Sequence, residues 1–176
     1  LESDSFMYAF AEQSGVVLSN DLAVNLSTPG SYTDTSLMTG GSISAGTEVD
    51  SWFVHMDDDE SDELIPVING TITFDEGVEV LGIIARSGLL NASDTVLGLD
   101  DLAYSTHSKR GMELQLADAI MWSVVDGQHV VDINATVGSA IDQVRIITTP
   151  TAATPAPGAL ALLGMAGLAA RRRRRG

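Results

Sequence analysis

The feature that most constrains the fold is a two-residue beat of apolar side chains, repeated in short runs. Thr71-Ile72-Thr73-Phe74 alternates polar and apolar, and residues 111–116 place Met112, Leu114 and Leu116 on one face. Ile120, Trp122 and Val124 repeat the pattern, then Val131 and Ile133, then Val144 and Ile146 within residues 143–148. A pleated strand with one buried face demands this period. Ser51-Trp52-Phe53-Val54-His55-Met56 is rich in β-prone side chains, and residues 78–84 follow the turn-forming Asp75-Glu76-Gly77. Gly, Asn and Asp separate the runs at intervals of roughly 8–12 residues, the spacing of sandwiches and barrels. The pattern predicts an all-β body over residues 1–148, a β-sandwich of jelly-roll type with Phe53 and Phe74 in its core. No long 3.6-residue stripe competes with it, although residues 117–125 admit a short helix as an alternative. Residues 87–102 carry Asp94, Asp100 and Asp101 and read as a polar connection.

Charge divides the chain sharply. All 24 acidic residues precede Thr151, against four basic ones there, Arg86, Lys109, Arg110 and Arg145, so the body carries a net −20. A body of this charge repels phosphate backbones and anionic membrane surfaces, which excludes nucleic acid as a partner. It suits salt-rich water or divalent cations. The chain has no cysteine, which removes disulfides and thiolate metal sites.

Beyond the body the composition changes. Residues 149–154 are a Thr/Ala/Pro stretch, expected to be an extended, flexible linker. Pro155-Ala156-Pro157-Gly158 follows, then an uncharged apolar run over residues 158–170, then Arg171, Arg172, Arg173, Arg174 and Arg175. As a helix the apolar run spans ~20 Å at ~1.5 Å per residue. That is short of the ~30 Å hydrocarbon core, a gap that bilayer thinning and snorkelling arginines narrow. The five arginines stay on the cytoplasmic side by the positive-inside rule, which orients the body outward.

A proline-marked boundary, an apolar helix and an arginine block, in that order, resemble the PEP-CTERM sorting signal of Gram-negative and related bacteria. The resemblance covers residues 155–176, with Ala156 standing where the family usually has Glu. It implies export, transient anchoring in the inner membrane, cutting near the Pro-x-Pro motif by an exosortase-type membrane protease, and release or attachment at the cell surface or in the extracellular matrix. The body is also similar to one recurrent type of PEP-CTERM protein body, through Val49 to His55, Gly70 to Asp75, Val80 to Ile84, Ser93-Asp94, Arg110 to Leu114 and Asp142 to Thr148. Such bodies imply an exterior, exopolysaccharide- or biofilm-associated role and name no reaction. Leu1-Glu2-Ser3-Asp4 is neither basic nor apolar, as an export leader would be, so the sequence is expected to be a fragment, a mature form or one with a mis-called start, a truncated gene model first among these.

Candidate chemistry in the body is sparse. Asp57-Asp58-Asp59-Glu60-Ser61-Asp62-Glu63 puts six carboxylates in seven positions. Asp57, Asp59 and Asp62 are the candidate Ca2+ ligands, but Asp62 stands where an EF-hand needs Gly and Ile68 where it needs its bidentate Glu. A solvated inter-strand loop is the competing reading. His55, His107 and His129 lack the H-E-x-x-H spacing, and no G-x-S-x-G elbow, Walker A loop or G-x-G-x-x-G fingerprint occurs. Trp52, Tyr104 and Trp122 are the large aromatics that can stack on a sugar, with a core role as the alternative. Arg110 and Arg145 are expected to pair with nearby carboxylates, and Asp50, Asp94 and Asp142 are expected either to cap turns or to serve as those partners. The expectation is a non-enzymatic surface or matrix protein without a resident cofactor. The alternatives are a carbohydrate- or calcium-binding lectin-like module and a secreted hydrolase.

Overall fold

The computed structural model describes residues 2–3, 5–58, 65–112, 114, 118–137 and 141–151. Among the described residues the regular structure is mostly β-strand, with one short α-helix. The strands are β1 (Tyr8–Val17), β2 (Leu22–Val24), β3 (Gly30–Tyr32), β4 (Gly41–Ile43), β5 (Glu48–Met56), β6 (Val67–Thr73), β7 (Val80–Ile84), β8 (Ala119–Val125), β9 (Gln128–Thr136) and β10 (Asp142–Thr148), and the helix is α1 (Ser87–Leu97). Two four-stranded antiparallel sheets form, ordered β1-β5-β10-β7 and β3-β8-β9-β6, with β2 and β4 as a separate pair. Among the described strands of the large sheets, only β8 and β9 are both consecutive and paired, closed by Asp126-Gly127 with φ of 51° and 83°. Two positive φ values are what a two-residue hairpin turn requires, and Gly and Asp supply them at low cost.

The alternating runs do what their period demands. Val54, Met56, Val80, Ile83, Val144 and Ile146 from the first sheet meet Tyr32, Ile68, Ile120, Trp122, Val131 and Ile133 from the second in one buried cluster. Phe74 joins them, while Phe53 is buried in a second cluster on the opposite face of the first sheet. There Val49, Ile84 and Ile147 pack under Leu22, Val24 and Ile43 of the small pair and under Leu90 and Leu97 of α1. The first sheet is therefore covered on both faces, which is why all seven residues of β10 are buried. A strand buried on both faces loses the polar half of its alternation. In β10 that half is Gln143, Arg145 and Ile147.

Two expectations are corrected. Residues 87–102 were expected to be a polar connection, yet α1 occupies Ser87–Leu97. Its buried stripe is Leu90, Ser93 and Leu97, and the serine in the middle hides the 3.6-residue period. The strand expected through Ile120, Trp122 and Val124 is β8 (Ala119–Val125), so the short-helix alternative does not hold there. Of the strand expected over 111–116, Gly111 makes an isolated parallel bridge to Gln143, and Leu114 turns away with φ of 48°. Met112 and Leu114 are buried, and residues 113 and 115–117 lie outside the described residues.

Residues 149 and 151 are fastened to the body. The Thr149 amide donates to the Glu79 carbonyl at 2.8 Å, and the Glu79 amide donates to Thr149 Oγ1 at 2.9 Å. Both the amide and the hydroxyl of Thr151 donate to Asp50 Oδ2, at 2.9 and 3.0 Å. Residues 152–154 of the expected linker, the Pro155-Ala156-Pro157-Gly158 motif, the apolar run and the arginine block lie outside the described residues. Among the described residues no helix is long and apolar enough to cross a membrane.

Candidate functional site

Strand register builds a charged cluster under α1. Across the first sheet, Phe10 of β1 pairs with Phe53 of β5, Phe53 with Arg145 of β10, and Arg145 with Ile84 of β7. This row faces the helix, so the Arg145 side chain rises from the sheet centre and is fully buried. Two residues along β1 from Phe10, on the same face, stands Glu12. Arg145 Nε and Nη2 donate to Glu12 Oε2 and Oε1 at 2.6 and 2.8 Å, a bidentate pair whose side chains are both 0% exposed. From α1 the cluster receives Ser93, whose Oγ takes a short hydrogen bond from Arg145 Nη1, and Asp94, whose Oδ1 accepts from Arg145 Nη2 at 3.0 Å.

A second buried arginine enters from the segment after α1. Arg110 Nη1 donates to Asp94 Oδ2 at 2.6 Å and to Asn91 Oδ1 at 2.9 Å, and its Nε donates to Gln143 Oε1 at 2.8 Å. Gly111 lets this happen. A Cβ there would lie 2.3 Å from the Ala85 carbonyl oxygen, so only glycine allows the backbone of residue 110 to approach so closely. Both guanidinium groups lie against the same two rings. Arg145 is 5.2 Å from the Phe53 centroid and 5.6 Å from that of Tyr104, and Arg110 lies at 5.9 and 5.6 Å. Phe53 and Tyr104 pack edge to face at 5.3 Å.

The charges balance locally, two guanidinium groups against Glu12 and Asp94. Burial pulls the Arg145 proton affinity down, but hydrogen bonding and attraction from Glu12, then Asp94, outweigh it and raise its pKa. Tyr104 donates to Glu12 Oε1 at 2.5 Å and accepts the Leu99 amide at 2.9 Å. Burial first, then the bond to Glu12, pushes its phenol up to about 12. Chemically this is a clamp. Every carboxylate oxygen in it accepts from a guanidinium, so no positioned acid or nucleophile emerges.

Two cavities open on either side of the segment that carries Tyr104, sharing Leu102 and Tyr104 as a wall. The larger, about 650 Å³, lies between α1 and residues 98–106, with Asp94 on its lining. The smaller, about 260 Å³, is lined by Phe10, Phe53, His55 and Gln143. Gln143 bridges from this cavity back to Arg110, and its Nε2 lies 3.1 Å from His55 Nδ1.

The three candidate sugar-stacking aromatics are not brought together. Trp122 is 3% exposed in the inter-sheet core, and its Nε1 donates to His129 Nδ1 at 3.1 Å. That placement makes it a packing residue. Trp52 is half-buried on the same side of the first sheet, edge to face with Phe74 at 5.8 Å, and it donates to Thr148 Oγ1. Tyr104 stands alone on the opposite, helix-covered side. Of the candidate calcium ligands, Asp57 lies with its Oδ2 3.8 Å from His55 Nε2, while Asp59 and Asp62 lie outside the described residues. Among the described residues no three metal-ligating side chains converge. Of the carboxylates expected to pair with Arg110 and Arg145, Asp94 meets both, whereas Asp50 binds the Ser14 hydroxyl, the Gly15 amide and Thr151.

Glu12 is the cluster member that the sequence hides. It occupies a core position of β1 where an apolar residue would keep the alternation. Its signal was indirect, an arginine inside the apolar run of β10 that had to find a buried carboxylate. In comparisons with protein-family models, with curated proteins and with solved structures, nothing matches this chain.

Proposed function

We propose that this chain is an exported cell-surface or extracellular-matrix protein, sorted and processed through its C-terminal segment and non-enzymatic in its body. The observation that carries the reading is the order of elements in the tail: Pro155-Ala156-Pro157-Gly158, the uncharged run over residues 158–170, then Arg171 to Arg175. An apolar segment followed by five arginines has one favourable orientation, with the acidic body outside. The body fits that destination. Its exposed Lys and Arg side chains, among the described residues, are Arg86 and Lys109, so exposed carboxylates far outnumber exposed cations there. The buried Glu12 and the half-buried Asp94 are bound by arginines, which supports a structural rather than a catalytic use of these two carboxylates. We read its architecture as a jelly-roll-type sandwich whose first sheet carries an extra layer, α1 with the β2–β4 pair. The partner is an exosortase-type membrane protease, and the destination is exopolysaccharide-rich matrix.

The test is expression of the full chain beside its Pro155→Ala/Pro157→Ala variant in hosts with and without an exosortase-type protease. Shortening of the unaltered chain alone, in the protease-bearing host alone, is the expected result. A size that depends on neither motif nor protease would overturn the reading.

A second reading, a lectin-like module, is favoured by one observation, the polar cavity of about 650 Å³ beside Tyr104.

A further inference from the structure

We infer that the cavity between α1 and residues 98–106 is a binding cleft for a short saccharide without acidic groups, with an amino sugar preferred over a neutral one. The inference deepens the matrix reading, on which it rests, by giving the body a ligand class and a place to hold it.

Size admits a small ligand, since about 650 Å³ lies within the roughly 300–1,000 Å³ typical of such sites. The lining is a mosaic. Hydroxyl, amide and carboxylate groups come from Gln13, Asn91, Asp94, Thr95, Asp100 and Thr106. Between them stand Val96, Leu99 and Leu102, exposed apolar side chains on an otherwise polar rim. A pyranose presents the same mixture, hydroxyl edges around an apolar C–H face. A flat apolar ligand would leave the polar groups unpaired, and an ion would leave the apolar ones wet.

The cleft is also held ready. Asp94, with 16% of its side chain exposed, is fixed from beneath by Arg110 and Arg145. The Gln13 amide is oriented by donating from Nε2 to the Gly98 carbonyl at 2.9 Å, which leaves its Oε1 as an acceptor at the cavity. The wall residue Tyr104 is pinned by Glu12 and by the Leu99 amide. Groups fixed before the ligand arrives lose little freedom when it binds.

Charge sets the class. The lining contains two carboxylates, Asp94 and Asp100, and no basic side chain. The arginines below are already matched by Glu12 and Asp94, so Asp100 leaves the cleft with a net negative charge. A uronate, sulfate or phosphate would be repelled here and by the −20 of the whole body. A protonated amine would gain, and hydroxyls would be neutral to the field.

The test uses the full chain in detergent micelles, titrated separately with a glucosamine disaccharide, a neutral glucose disaccharide and a uronic-acid disaccharide, and read by amide chemical shifts. The expected result is saturable shifts for the first two, confined to residues 13–16 and 91–106, with the amino sugar several-fold tighter at low salt and none for the uronate. Asp100→Asn should erase the amino preference while neutral binding persists. Leu102→Asp should weaken both ligands at least several-fold. Both side chains are exposed, and an unchanged spectrum elsewhere verifies the fold of each variant. No shifts with any sugar, shifts mapping elsewhere, or a uronate that binds as well as the others would overturn the inference. Sorting is read from the mass of the processed chain, so a cleft that binds nothing leaves the sorting proposal standing, and the reverse also holds.

Discussion

Replacing Arg145 with Met should cost the body about 3–5 kcal/mol, the loss typical of removing one partner of a buried ion pair. The structure places Arg145 at that extreme. Its side chain and that of Glu12 are both fully buried, and its donors also serve Asp94, Ser93 and the Leu90 carbonyl. Asp94 keeps Arg110 in the variant, but Glu12 keeps only hydroxyl donors, Ser51 at 2.8 Å and Tyr104. The uncompensated carboxylate dominates the loss, because methionine replaces much of the packing against Phe53. Removing the carboxylate as well should therefore restore part of the stability. Glu12→Gln/Arg145→Met should be less destabilised than the sum of the single variants by about 1–3 kcal/mol. Urea unfolding followed by the fluorescence of Trp52 and Trp122 measures all three variants, and an unchanged denaturant slope confirms that only stability has moved. A loss below about 1 kcal/mol for Arg145→Met, or single losses that simply add, would refute the claim that this pair is a buried, coupled clamp.

Other consequences of the geometry are as specific. Tyr104 should ionise near 12, visible as a late step in an ultraviolet titration that Tyr104→Phe removes. Its raised pKa contributes stability that is complete below the unfolded value of about 10 and is lost as pH rises towards 12. Asp50 behaves in the opposite sense. Burial pushes its carboxyl up, but hydrogen bonds from Thr151, Ser14 and Gly15 together hold it below 3.8. Its contribution is present above the unfolded pKa and disappears as pH falls through the lower folded value. The Thr151 amide resonance should titrate with a midpoint below 3.8, and Asp50→Asn should abolish that titration at a cost of about 1–3 kcal/mol. Gly111→Ala should destabilise by about 2 kcal/mol or more, because its Cβ meets the backbone of residues 85–87 and the shift must be passed to Arg110, and thermal unfolding reads it.

The alternating runs made β5 through β10 legible wherever one face meets the inter-sheet core, as with Val131 and Ile133 or Val144 and Ile146. The illegible elements share a cause. In β1 the inward position after Phe10 is Glu12, and in α1 the middle of the buried stripe is Ser93. In β10 the alternation was visible on one face only, because the other carries Arg145. Arg145 binds both Glu12 and Ser93, so each break in the apolar pattern is one component of the same cluster. A sequence-level pattern sees three unrelated defects, because it has no account of groups 133 residues apart that satisfy each other. The short strands β2, β3 and β4, of three residues each, are too brief to show any period. Of the candidate site, arginine–carboxylate pairing was legible, with Asp94 one of three aspartates named for it, and Glu12 was not.

The central claim concerns where this chain ends its journey, and intact-mass analysis of the protein from its native host tests it most directly. Inner membrane, outer envelope and extracellular matrix would be separated and the mass measured in each. The account predicts an exterior form that ends between Pro155 and Pro157 and lacks the apolar run and arginine block. A mass that retains Arg171 to Arg175, found solely in the inner membrane, would show that the segment is a plain anchor and would contradict it.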